Sequence, residues 1–254
     1  TLIPDPNFEQ ALIDLGYDDT LDDYVLTDNI SNITVINLDR KNISNATGIE
    51  GFVALQSLNM QFNLLTSINL NNNNELTWLY LNNNSLSSID LSGNNKLKYF
   101  SIYTNALTEI DLSSNIALIN LGLGNGSGFS GWTDPNPTTN QLVSLDLTSN
   151  TELTSLSVAQ NSLTSIDLSG SINLTYVSLA QNNLTSVDVS NLNSLETLGL
   201  LYNSSLTCIE VNENQLNSIP SGFSKDSTAD YSLDCNAGNT ADTTPPVITL
   251  TGSS

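Results

Sequence analysis

The chemistry open to this chain is narrowed first by what it lacks. There is no histidine and there are only two cysteines, Cys208 and Cys235, so the commonest general base, zinc ligand and Cys/His nucleophile pairs are absent. Carboxylate is abundant, with 26 Asp and Glu against 5 Lys and Arg. Asp90, Asp111, Asp146, Asp167 and Asp188 recur in one I-D-L-S-like context, while Asp18, Asp19, Asp22 and Asp23 crowd a single short stretch. Two carboxylates can cleave a glycosidic bond, but a catalytic pair is unique and set in a pocket, and the recurring aspartates repeat with their surroundings; no enzyme is expected. The crowded group offers oxygen ligands for calcium without the D-x-[DN]-x-[DN]-G loop spacing, so a metal there is the alternative to a solvated acidic loop, and no other cofactor is implied.

The remaining candidates are aromatic: Trp78, Tyr80, Tyr99, Tyr103, Trp132 and Tyr176. Side chains of this kind provide large contact area at low entropic cost and stack on sugar rings or anchor a protein partner. They also suit exposed strands through cross-strand packing, which is the competing explanation. Trp78, Tyr80, Tyr99 and Tyr103 are expected to form one patch, with Tyr176 several turns away and Trp132 in a loop beside it.

These residues are positioned by a repeat. In LTWLYLNNNSLSSIDLSGN, Leu76 to Asn94, the leucines at 76, 79 and 81 lead to Asn84, and Leu86, Ile89 and Leu91 lead to Asn94. The same spacing returns every 21 residues on both sides, and L-x-x-L-x-L-x-x-N-x-L at such a period is the signature of a leucine-rich-repeat solenoid. The leading leucines are Leu55, Leu76, Leu97, Leu118, Leu153, Leu174 and Leu195, which with a degenerate unit at Ile33 gives about eight turns across residues 33–205. In the degenerate unit Lys41 stands where asparagine is due. Within each unit the period of two sends Leu79 and Leu81 inward and Trp78, Tyr80 and Asn82 outward. The expected class is an α/β horseshoe, mainly β, with a parallel sheet on the concave face. Asn63, Asn84, Asn105, Asn140, Asn161, Asn182 and Asn203 fall where the chain leaves the strand, and an inward amide there can pair the backbone groups left open by the turn. A second row, Asn73, Asn94, Asn115 and Asn150 with Ser171 after it, is expected to do the same on the return side.

The ends differ from the array. Over residues 1–32, Asp5 before Pro6 reads as a helix N-cap, with Phe8, Ala11, Leu12 and Leu15 on one face to cover the first turn. From Leu118 to Leu153 is 35 residues, and the surplus over the period lies in a Gly-, Pro- and Ser-rich insertion at 124–139 that carries Trp132. Residues 206–236 read as a C-terminal cap. Its Cys208 and Cys235 are a metal or redox pair or a disulfide; the lack of His and of C-x-x-C favours the disulfide and an oxidising compartment. Residues 237–254 read as a linker and the first strand of another domain.

The excess of acid, a net charge of -21, argues against nucleic acid or an anionic membrane surface as partner. The sequence has no run of about 18 apolar residues, so no membrane insertion is expected; the chain begins at Thr1 without a charged-then-apolar leader, as a processed chain does. The opening IPDPNFEQALIDLGYD, the segment KNISNATGIEGFVAL, the L-T-S-I-D-L-S repeats and the ending LTCIEV…YSLDC together resemble the secreted leucine-rich-repeat proteins of Bacteroidota, especially marine Flavobacteriia, over about Ile3 to Cys235. The tail TPPVITLTG resembles the entry to a bacterial immunoglobulin-like domain. The resemblance implies an extracellular or cell-surface module of a larger protein, monomeric and attached to neighbouring domains. Such a module would bind a protein or polysaccharide through the concave face, or serve as a structural spacer or adhesin segment. The insertion departs from the family pattern and puts an even concave face in question at that turn.

Overall fold

The computed structural model describes residues 1–124 and 139–235. Nine three-residue strands, β1 (Val35–Asn37), β2 (Ser57–Asn59), β3 (Trp78–Tyr80), β4 (Tyr99–Ser101), β5 (Asn120–Gly122), β6 (Ser155–Ser157), β7 (Tyr176–Ser178), β9 (Thr197–Gly199) and β11 (Gly222–Ser224), form one parallel sheet in the order β1-β2-β3-β4-β5-β6-β7-β9-β11. A second parallel sheet on the return side joins β8 (Ser186–Asp188), β10 (Cys208–Glu210) and β12 (Asp230–Ser232). The array therefore runs one turn beyond residue 205: β11 and β12 complete a ninth turn within the segment expected to be only a cap. The insertion does not break the sheet, because β5 pairs with β4 on one side and with β6 on the other. Trp132 and the 237–254 segment lie outside the described residues.

Each strand places its middle residue and the leucines around it in a single core running the length of the coil; Leu76, Leu79, Leu81, Leu86 and Leu91 of the third turn are all buried. Truncating any one of them to Ala would leave a cavity costing about 2–5 kcal/mol. Most inward positions are leucine, and the few exceptions, such as Phe100 and Met60, still fill the same layer.

At the exits of β2, β3, β4, β6, β7 and β9 the chain turns through a residue in the left-handed region. Phe62, Asn83, Thr104, Gln160, Gln181 and Tyr202 have φ between 52 and 64°, and each immediately precedes a ladder asparagine. In a representative rung, Asn105 Nδ2 donates to the carbonyls of Leu81 (3.0 Å) and Ile102 (3.2 Å), while its Oδ1 accepts from Leu86 N at 2.9 Å. One amide thus pairs two strand-exit carbonyls and an N–H on the preceding turn. Asn140, displaced in sequence by the insertion, occupies the next rung unchanged, donating to Ile102 and Leu123 and accepting from Leu107. Where Lys41 replaces asparagine, the Oδ1 of Asn63 still accepts from Lys41 N and Ile43 N.

The second row shares half of this role. The Nδ2 groups of Asn73, Asn94, Asn115 and Asn150 donate to backbone carbonyls of the turn before, but their Oδ1 atoms accept nothing from the described residues. The return side offers no N–H at that level, because the local turn bonds, such as Asn94 N to Leu91 O, already use them.

Both ends are closed. Helix α1 (Pro6–Asp14) starts at Asp5, whose Oδ1 accepts from Asn7 N and Phe8 N and whose Oδ2 accepts from Ser44 N, Ser44 Oγ and Asn45 N. The one carboxylate caps the helix and ties it to the turn beneath. Phe8, Ala11 and Leu12 are buried, with the Phe8 ring stacked on Phe52; Leu15, expected on the same face, is the helix C-cap and is 44% exposed because the chain has by then turned away from the core. At the far end a capping box between Asn212 and Gln215 starts α3 (Glu213–Asn217), and Cys208 and Cys235 are disulfide-bonded with Cα atoms 5.7 Å apart.

Replacing Asn105 with Ala strands two buried carbonyls and an N–H, so urea unfolding should show a loss of about 2–3 kcal/mol. Asn120→Ala, on an outward strand position, should stay within about 0.5 kcal/mol, and an equal loss at both positions would remove the ladder from its structural role. Reducing the disulfide should cost about 3 kcal/mol through the freed chain entropy of the unfolded state.

Candidate functional site

The outward side of the sheet is three residues wide, and register fixes its rows. The first runs Ser57, Trp78, Tyr99, Asn120, Ser155, Tyr176, Thr197; the second runs Asn59, Tyr80, Ser101, Gly122, Ser157, Ser178, Gly199. The residues two positions further on, Gln61, Asn82, Tyr103, Gly124, Ala159, Ala180 and Leu201, form the third. From β2 to β9 none of these positions holds Asp, Glu, Lys or Arg, in a chain of net charge -21. Lys98 and Glu196 stand at strand entries, just outside the rows.

Register puts Trp78 and Tyr99 side by side, and their rings stack face to face with centroids 3.7 Å apart and planes at 15°. Tyr80 joins them at the edge, 6.4 Å from Trp78 and tilted by 51°. Burial, and then the neighbouring Tyr99, push the Tyr80 phenol up from its ordinary value. Trp78 remains 40% exposed and Tyr176 41%. Because the pair stacks along the row, its outer faces look along the sheet, toward Ser57 on one side and Asn120 on the other.

Tyr103 departs from the expected patch. Its ring occupies the space where a side chain at 122 would stand: a Cβ on Gly122 would meet the ring carbons and hydroxyl at 2.5–2.7 Å, whereas one on Gly124 would first meet the Ala159 backbone at 2.8 Å. The ring therefore lies toward the following turn, over Gly122. Burial raises its pKa, the Ser157 hydrogen bond acts in the opposite sense, and Tyr176 adds to the rise. So Tyr103 leans over the turn that follows its own, above Gly122. Gly122, a glycine at an outward strand position, was the sequence signal for it.

A polar network that sequence reasoning did not identify supports the aromatic turns. Asn59 Oδ1 accepts from Gln61 N and Nε2, Gln61 Oε1 accepts from Asn82 Nδ2, and Asn82 Oδ1 accepts from Ser101 Oγ at 2.7 Å and Tyr103 N at 2.7 Å. Asn82 is buried although it points to the concave side, so it fixes the backbone that carries Tyr103.

The carboxylates do not assemble into a site. Glu9, a buried residue of α1, accepts from Asp22 N and Tyr24 N and holds the acidic loop in place. Asp22 accepts from Tyr24 N, and Asp19 from Thr20 Oγ1. Among the described residues no group of three or more His, Cys, Asp or Glu side chains is placed to hold a metal ion. In the repeating row, each aspartate accepts from the backbone N–H two residues on, as Asp90 does from Ser92 and Asp146 from Thr148, and the Ser92 and Thr148 hydroxyls join in. These bonds hold Asp90, Asp111, Asp146 and Asp167 below the usual carboxylate pKa. The opposing push of neighbouring aspartates, felt at Asp111 and Asp146, is the smaller effect.

The chain matches no family model and no curated protein. Among solved structures it is similar to internalin C2 of Listeria monocytogenes at 20% identity, with 91% of this chain and 95% of that one covered and a TM-score of 0.60. It is also similar to a leucine-rich-repeat protein of Leptospira interrogans at 21% identity, covering 78% of this chain and 53% of that one with a TM-score of 0.56. The functional domain of InlJ from Listeria monocytogenes, which includes a cysteine ladder, is 26% identical over 83% of this chain and 60% of its own length, at a TM-score of 0.41. The chain thus spans little more than half of two of these three proteins. The fold is a leucine-rich-repeat solenoid.

A carboxyl whose pKa is depressed in the fold stabilises it fully above the unfolded value, about 3.9, and loses that contribution as pH falls through the folded value. The melting temperature should therefore be flat near neutrality and drop below about pH 4. Replacing Asp90, Asp111, Asp146 and Asp167 with Asn should make that drop shallower. Near neutrality added salt should raise the melting temperature by screening the row, and calcium at matched ionic strength should add nothing; a specific calcium increment would favour the cation reading.

Proposed function

We propose that this chain is a non-catalytic recognition module that works outside the cell or at its surface and binds its ligand through the concave face. The supporting observation is the Trp78–Tyr99 stack, two large rings set on a face whose other outward residues are mostly small and uncharged. Burying those residues is the ordinary route by which a flat surface gains affinity from a few aromatic anchors. A leucine-rich-repeat fold supports binding but does not name a ligand. The disulfide supports an oxidising compartment; among the described residues no helix is long and apolar enough to cross a membrane. The resemblance at the two caps supports a monomeric module of a larger exported protein of Bacteroidota, with an immunoglobulin-like domain following.

A structural reading is favoured by a different observation. In the sixth turn Ser155, Ser157 and Ala159 offer a ligand little to grip, which suits a spacer or adhesin segment that sets the reach of its neighbours.

The test is binding of the chain to protein and glycan arrays, alongside a Trp78→Ala/Tyr99→Ala variant of unchanged melting temperature. Recognition through the concave face requires specific hits that the variant loses by at least tenfold. The absence of hits, or hits indifferent to the double substitution, would favour the spacer.

A further inference from the structure

We propose that the ligand is an uncharged polysaccharide, seated on the concave face between the rings of Tyr99 and Tyr176 and over Tyr103. This inference rests on the recognition reading above and adds the class of ligand.

The first argument is charge. The chain carries 26 acidic and 5 basic residues, yet the three outward rows from β2 to β9 hold none of either. A surface that meets charged partners sets counter-charges against them for steering and register, and these rows hold none; Lys98 and Glu196 stand outside them, at strand entries. Its polar groups are amides and hydroxyls, from Asn120, Ser155, Ser157, Ser178 and the tyrosines. Hydroxyls both donate and accept, which matches a ligand whose own polar groups are hydroxyls. A protein ligand would bring backbone and charged side chains to rows that hold no charge of their own.

Spacing is the second argument. Tyr99 and Tyr176 share one row and are separated by the strands of Asn120 and Ser155, so their attachment points are three strand spacings apart, about 14 Å. The outer face of the Trp78–Tyr99 stack looks into this interval from one end, and Tyr176, 41% exposed, closes the other. Between them the row holds small side chains, and the floor is Tyr103, lying over Gly122. Sugar rings offer apolar C–H faces to aromatic faces while their edges reach hydroxyls and amides. This combination of apolar surface with a few placed polar groups is what small-ligand sites share.

Pre-organisation is the third. Trp78 and Tyr99 hold each other at 3.7 Å, and Tyr103 lies close over Gly122 with its backbone N–H bonded to Asn82. Rings already held in place lose little freedom when a ligand arrives, which lowers the cost of binding.

Native affinity electrophoresis of the full chain distinguishes the possibilities, using gels that contain laminarin, galactomannan or xyloglucan, with alginate as the charged control. Retardation is expected in at least one uncharged polysaccharide and not in alginate. Tyr99→Ala and Tyr176→Ala should each weaken it at least tenfold, and Leu201→Ala, on the same face beyond the interval, should leave it unchanged. Melting curves establish that each variant is folded. The proposal is overturned if none of the three gels retards the chain, or if retardation survives both tyrosine substitutions. A protein ligand found on the arrays and lost with Trp78→Ala/Tyr99→Ala would also overturn it while leaving the recognition reading intact.

Discussion

One buried amide per turn makes this coil possible. A three-residue strand is too short to carry its neighbours' backbone groups through the bend that follows, and the carbonyls at its exit point into a leucine core where no water can reach them. The asparagine row satisfies those groups from the side chain, each rung joining its own strand to the one before. An unpaired buried carbonyl costs about 1–3 kcal/mol, so loss of the rungs would exceed what the leucine layer could tolerate at each bend. The arrangement also explains the tolerance of the long insertion: Asn140 enters its rung whatever leaves between Gly124 and Thr139, because the rung needs only the two bounding strands.

The same geometry separates two electrostatic surfaces. Outward positions of the main sheet can be neutral because the acid is placed elsewhere, on the return side and in the N-terminal loop. On the return side a column of aspartates is kept from repelling itself apart by hydrogen bonds that each carboxylate makes within its own turn. Those bonds are local, so they are made once per repeat and do not depend on a cation. The acid thus keeps an extended molecule soluble without placing charge on the concave rows.

The caps show how an open-ended core is finished. At one end Asp5 links helix, loop and first turn through a single carboxyl: burial acts to raise its pKa, but the bonds from Ser44, Asn45 and Phe8 outweigh it and hold the group ionised. At the other end the array does not stop but narrows, with Phe223 and Tyr231 adding a last layer before the disulfide closes it. Polar anchoring at the start and covalent closure at the finish are two answers to the same exposed layer of leucine.

Most of the fold was legible in the sequence, and for a reason particular to repeats: a period of 21 residues states the strand, the core positions and the exit asparagine several times over, and the Asp5–Pro6 start is a local signal. What the sequence did not decide depended on neighbours far along the chain. The ninth turn was hidden because β11 and β12 pair through backbone register without the leucine pattern. Leu15 was misplaced because a helical period cannot tell where the chain leaves the core. The aromatic row could be listed from alternation alone, yet whether a tyrosine stands up or lies down depends on the room left by the next turn, and Gly122 leaves that room for Tyr103. Periodicity determined which face each side chain takes; only the stacking of turns decided what it meets there, because those contacts join residues about a full repeat apart.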